Sequence, residues 1–116
     1  MAFSNYLSNE ILDHVFSGNA FTAPANYYVA LYTVAPTASG GGTEVTGGGY
    51  VRQTATFTTT AQQSTNSSAV EFPTATAAYG NVVAAAVLDA SSGGNLLAFA
   101  NLTAAKNIAI GDVLRI

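Results

Sequence analysis

His14 is the single histidine of the chain, and Asp13 beside it completes the residue types of a carboxylate-oriented general base. Neighbours on a helix do not face one another, so Asp13 cannot aim the His14 ring from that position. No serine sits in a G-x-S-x-G elbow and the chain has no cysteine, so no activated nucleophile stands opposite the base. His14 therefore reads as a helix-surface or packing residue. Glu71, Asp89 and Asp112 lie on separate segments, without the D-x-D spacing of a calcium loop. No catalytic residue, metal site or cofactor is expected.

Two glycine triplets, Gly40-Gly41-Gly42 and Gly47-Gly48-Gly49, resemble phosphate-cradling loops only superficially. No Gly-Lys-Ser/Thr follows them, and no helix starts there to offer its amides. They read as a long exposed loop, Ala38 to Gly49, that is flexible or touches a partner. Tyr27, Tyr28, Tyr32, Tyr50 and Tyr79 could line a sugar-stacking surface, but aromatics favour strands in any case, and core packing is the simpler reading.

Six acids and three bases give a net charge of −3, and charged residues make up 8% of the 116, against roughly 25% in an ordinary domain. Three bases leave no electrostatic footprint for a phosphate backbone or an anionic membrane, so no nucleic acid is expected as a partner. The longest apolar run, Val82 to Leu88, is far short of the roughly 20 residues of a membrane helix, so membrane insertion is not expected either. No base precedes Arg52, so the start lacks a secretory signal, and synthesis in a cytoplasm is expected.

These residues are placed by one helix and a series of short strands. Ser4 is a helix cap, and Leu7, Ile11, Leu12, Val15 and Phe16 form one stripe at 3.6 residues per turn before Gly18 stops the helix. A helix of roughly 12 residues is marginal alone in water and must dock. Strands are expected at Tyr27 to Thr33, Tyr50 to Thr60, Ala69 to Phe72, Tyr79 to Ala90, Asn95 to Ala100, Ile108 to Ile110 and Val113 to Ile116, with a polar turn at Gln62 to Ser68 and a polar stretch at Thr103 to Asn107. The alanines of the Tyr79 to Ala90 strand call for close packing on a second layer or a neighbouring subunit. No helical segments separate the strands, which points to an all-β fold: an antiparallel, jelly-roll-like β-sandwich preceded by one N-terminal amphipathic α-helix. Residues 1–18 are the docking helix and 19–116 the sandwich, within one domain. Its surface of Thr, Ser, Asn, Gln and Gly, including the Thr54 to Thr60 face, desolvates at less cost than ions do and favours assembly. The candidate assembly interface is Phe3, Tyr6, Leu7, Ile11, Leu12, Val15 and Phe16.

The blocks Phe3-Ser4-Asn5-Tyr6-Leu7, Leu12-Asp13-His14-Val15-Phe16, Tyr28-Val29-Ala30-Leu31-Tyr32-Thr33, Gly41-Gly42-Thr43-Glu44-Val45, Tyr50-Val51-Arg52-Gln53, Phe72-Pro73-Thr74-Ala75-Thr76-Ala77 and Leu88 to Ala98 occur in an order that resembles the small tail fibre proteins of tailed bacteriophages. The resemblance covers nearly the whole chain. It implies a non-enzymatic virion structural protein, a tail fibre or baseplate-associated module made in the host cytoplasm. The partners it implies are other copies, as a trimer by analogy with fibres, and tail or baseplate proteins. A capsid decoration (cement) protein and a module binding a host surface glycan are the alternatives. The resemblance departs at its end, where family members continue past Gly111-Asp112 with a further strand and this chain stops at Ile116.

Overall fold

Tyr27 to Val34 combine aromatic and β-branched side chains, and in the computed structural model, which describes residues 2–116, they form the central strand. In chain order the elements are β1 (Ala2–Phe3), α1 (Asn5–Phe16), β2 (Tyr27–Val34), β3 (Thr43–Glu44), β4 (Gln53–Ala55), β5 (Phe57–Thr60), β6 (Gln63–Asn66), β7 (Gly80–Leu88) and β8 (Leu96–Ile108). Every strand pairing is antiparallel. One sheet runs β1-β8-β7-β2-β3, β4 also pairs with β2, and β5-β6 is a separate hairpin. The all-β sandwich with a leading helix stands as expected.

The two faces of the central strands pack differently. Val29 and Leu31 of β2, Val82 of β7 and Ile108 of β8 point into the main core, where they meet Val45, Val70, Phe72, Ala75, Tyr79 and Leu114. That facing layer is extended backbone: Val70 and Ile116 exchange amide-to-carbonyl bonds of 2.7 Å in each direction, and the Phe72 amide donates to the Leu114 carbonyl at 2.9 Å. The Tyr50 ring stacks on Phe72 at 6.0 Å and meets Tyr79 edge-on at 5.7 Å, so a T-shaped and a stacked contact close the core. On the opposite face alanines take part in the cross-strand pairs, Ala30 with Ala86 and Ala84 with Tyr32, and Leu88, Leu96 and Phe99 pack with them.

Several local expectations are corrected. The Ala38 to Gly49 segment is not a plain exposed loop. It contains β3, whose Glu44 pairs with Tyr32, and Val45 is buried in the core. Gly42, at φ +75°, leaves no room for a Cβ, which would stand 2.6 Å from the Val34 carbonyl oxygen and 2.8 Å from the Pro36 nitrogen. The glycines make tight backbone packing there rather than freedom. The Tyr50 to Thr60 strand is two: it leaves the sheet at Thr56, and β5 pairs with β6, while Tyr27 holds Phe57 edge-on at 5.8 Å.

Residues 63–66, read as a polar turn, are a strand because hydroxyls rather than apolar faces hold it. Thr58 Oγ1 bonds Ser67 Oγ at 2.8 Å, and Thr59 Oγ1 donates to Ser64 Oγ at 3.2 Å. A four-residue strand exposed on both faces has no hydrophobic alternation to read. β8 likewise continues through the polar Thr103 to Asn107 stretch, because the far end of that strand lies beyond short β1 and is solvated. A register shift, with Val82 opposite Lys106 and Ala84 opposite Asn101, absorbs the extra residues as a bulge. Ala69 to Phe72 and Val113 to Ile116 make one ladder with each other, bridged at Glu71 and Arg115, rather than two full strands.

The molecule measures 49 × 27 × 24 Å and exposes 6731 Å², against about 5,900 Å² for a typical monomer of its mass. It is elongated and under-buried for its size. Phe72 is fully buried against Tyr50, so Phe72→Ala is expected to cost about 3–5 kcal/mol in urea unfolding. A loss under 1 kcal/mol would contradict this packing.

Candidate functional site

The helix is attached to the sheet at one end. Ser4 is buried, its amide donates to the Leu97 carbonyl at 2.9 Å, and its hydroxyl donates to the Leu96 carbonyl while accepting from the Leu7 amide at 3.1 Å. The Asn5 amide donates to the Ala38 carbonyl at 2.8 Å, and Asn5 Nδ2 reaches Ser39 Oγ at 3.1 Å. These bonds combine an N-cap with two sheet-to-helix ties. None of the helix residues is fully buried, and from Leu12 to Phe16 all are exposed.

The expected interface residues separate accordingly. Tyr6, Leu7 and Ile11 are half-buried near the anchored end, whereas Leu12 (53% exposed), Val15 (61%) and Phe16 (82%) face solvent further along, and Phe3 of β1 is also exposed. Leu12, Val15 and Phe16 share one exposed side of the helix, Tyr6 lies on the side opposite Val15, and Phe3 is on the adjoining strand. An apolar stripe open to solvent on a helix too short to stand alone is an unfilled contact.

Asp13 and His14 close the far end of α1. Asn19 Nδ2 donates to both Asp13 carboxylate oxygens at 3.0 Å, and His14 Nδ1 bonds the Asn19 carbonyl at 3.0 Å. Gly18, at φ +74°, turns the chain so that the Ser17 and Asn19 amides both reach the Asp13 carbonyl, at 3.0 and 3.3 Å. The pair that resembled a base and its orienter builds a C-terminal cap. Glu71, Asp89 and Asp112 are not brought together: Glu71 pairs with Arg115 at 2.6 Å, Asp89 binds the Asn95 amide at 2.7 Å, and Asp112 takes the Ala109 amide at 2.9 Å. Of the five tyrosines considered for sugar stacking, Tyr32 and Tyr79 are buried, Tyr50 is a core ring, and Tyr27 packs on Phe57.

One cluster was not legible in the chain. Arg52, whose side chain is 9% exposed, lies flat against Glu44, with Nε on Oε2 and Nη2 on Oε1, both at 2.8 Å. Its Nη1 donates to the Ala90 and Gly93 carbonyls at 2.8 and 2.9 Å, and the Tyr50 hydroxyl donates to Glu44 at 2.7 Å while accepting from the Leu31 amide at 3.0 Å. Arg52 thus ties β3 to the turn after β7. Burial alone would raise the Glu44 carboxyl, but the bonds from Arg52 and Tyr50 outweigh it and hold the carboxyl below its ordinary value. Burial, then the bond to Glu44, push the Tyr50 hydroxyl far up. Asp89 is likewise held low, because the bonds from Asn95 outweigh its burial.

A model of the family described as podophage GP4 fiber I protein gp80 matches residues 2–116. The chain belongs to this family. It is a phage fibre structural protein and a virion component, as the resemblance implied. No curated protein matches it. In this fibre protein the far half of the helix exposes three large apolar side chains, Leu12, Val15 and Phe16.

Two predictions follow from this geometry. Ser4→Ala removes the cap and one tie, so helical circular dichroism is expected to fall, at a cost of about 1 kcal/mol, while the strand signal persists. Unchanged helicity would show that α1 is held elsewhere. Because the Glu44 carboxyl is depressed in the folded state, its stabilisation is present above the ordinary value of 4.5 and is lost as pH falls through the lowered value. Glu44→Gln is expected to cost about 3 kcal/mol at pH 7 and to narrow its gap from wild type on acidification. A gap constant from pH 7 to pH 3 would contradict the pairing.

Proposed function

We propose that this fibre protein is a non-enzymatic assembly module that docks through α1 onto further copies of itself, trimeric by analogy with fibres, and onto tail or baseplate proteins. The reading rests on one observation: α1 is fixed at Ser4 and leaves Leu12, Val15 and Phe16 in solvent. A solvated apolar stripe loses free energy only when another surface covers it, at about 25 cal/mol per Å² of apolar area removed from water. The scarcity of charge supports the same use, since uncharged Thr, Ser and Gly surface is desolvated at lower cost than ions. The excess surface of the single chain has the same explanation.

Leu12→Asp tests the reading. Leu12 is exposed within the chain, so the isolated chain is expected to melt within about 0.5 kcal/mol of wild type, while light scattering shows loss of the oligomer and virions lose the protein by mass spectrometry. A wild-type chain that stays monomeric and is absent from virions would overturn the reading. Antibody label on the head instead of the tail would favour capsid decoration.

A further inference from the structure

β7 is an inner strand, between β8 and β2, and a closed sandwich would cover its side chains on both faces. One face is covered only in part. Leu31, Val82 and Ile108 are buried with Val70, Phe72 and Leu114, whereas Ala85 and Val87 of β7 and Ala100 and Leu102 of β8 are only half-buried. Ala85 stands opposite Leu31 and Ala100, so these residues share the face of the main core. They floor a groove of about 280 Å³ walled by Phe57 and by Ser64 to Asn66 of the β5-β6 hairpin. No charged side chain among the described residues lines it. Its centre is small and apolar, and its rim is Ser, Thr and Asn. Phe3, opposite Ala98 on the same face and 55% exposed, continues the apolar floor beyond the groove.

The chemistry that would fill this groove is present on the same chain. Leu12, Val15 and Phe16 offer large apolar side chains, flanked on the helix surface by uncharged Ser8 and Asn9, and Asp13 beside them is already bonded by Asn19. Within one chain the two surfaces stay apart. Ser4 and Asn5 tie the first turn of α1 to Leu96, Leu97 and Ala38, where it borders a second groove over Tyr32, Leu88 and Leu96 on the other face of the sheet. No residue of α1 lines the groove beside the hairpin. We propose that the Leu12, Val15 and Phe16 stripe of one copy seats in this groove of the next, with the Phe16 ring over Ala85 and Ala100. The inference rests on the reading of α1 as the assembly element and names the surface that receives it. The contact joins two different surfaces, so it is heterologous: it runs head to tail and closes into a ring where the rotation allows, without a two-fold helix-to-helix pairing.

The chain has no cysteine, so introduced thiols report the contact directly. Phe16→Cys chains mixed with Ala100→Cys chains are expected to form a disulfide heterodimer under mild oxidation, whereas Phe16→Cys mixed with Val51→Cys, exposed away from the groove, is not. Ala100→Asp puts a charge on the groove floor and Ala100→Trp fills it. Each is expected to weaken self-association about 10-fold or more in analytical ultracentrifugation, with the chain still folded by circular dichroism. In virions, a benzophenone attached at Phe16→Cys is expected to capture a second copy of the chain. Assembly that Leu12→Asp abolishes but both Ala100 variants leave intact would overturn the groove as the receiving surface while the assembly role of α1 stands. A Phe16-to-Phe16 disulfide in place of the heterodimer, or capture of tail or baseplate protein alone, would do the same. An oligomer that Leu12→Asp leaves intact, or a wild-type chain that stays monomeric, would overturn the reading of α1 and this inference with it.

Discussion

Ser4 is buried between β8 and the first turn of α1, and the bonds it makes to Leu96, Leu97 and Leu7 determine where the helix leaves the sheet. One small side chain does three things there. It ends β1, caps the helix and ties both to β8. The geometry that follows is a helix anchored by its N-terminus and solvated along its length, with a groove at its base. The solvated stretch from Leu12 to Phe16 is a consequence of that attachment at one end.

The rest of the molecule carries few charges, and most of them are spent on holding turns and one ladder. Arg52 and Glu44 join β3 to the turn that follows β7. Asp89 clasps Asn95 across the same turn, where a Cβ on Gly94 would stand 2.5 Å from Asp89 Oδ1. Asp13 closes α1 through Asn19, and Asp112 closes the turn after β8. With Asp13, Glu44, Glu71, Asp89, Asp112 and both arginines bonded within the chain, much of the outer surface is left to hydroxyls, amides and apolar side chains. Such a surface is desolvated at lower cost than one of free ions.

How much of this was legible follows from what each segment uses to hold its shape. The helix, β2 and β7 declare themselves because burial imposes periodicity: the Leu7 to Phe16 stripe, the aromatic run from Tyr27 and the alanine-rich run from Val82. β6 and the far end of β8 were missed because both are solvated and polar, held by backbone pairing and hydroxyl bonds that leave no hydrophobic pattern. The β3 turn was hidden by glycine, which marks flexibility and forbidden-Cβ packing with the same letter, and Gly42 is the second kind. The helix stripe was readable, whereas the Glu44–Arg52 tie and the Tyr50 bond to Glu44 were not. They join residues whose proximity arises only when β3 folds back on β2 and the turn after β7 arrives beside them.

The central claim is that α1 is tied down only at its N-terminal end, through Ser4 and Asn5, and that its stretch from Leu12 to Phe16 stays open until another chain covers it. Amide hydrogen exchange of the helix peptide, read by mass spectrometry in the dilute isolated chain and in assembled virions, tests it most directly. Fast exchange through Leu12 to Phe16 in the isolated chain, with strong protection in the virion, is the predicted result. Equal exchange in both, whether fast or slow, would contradict the claim.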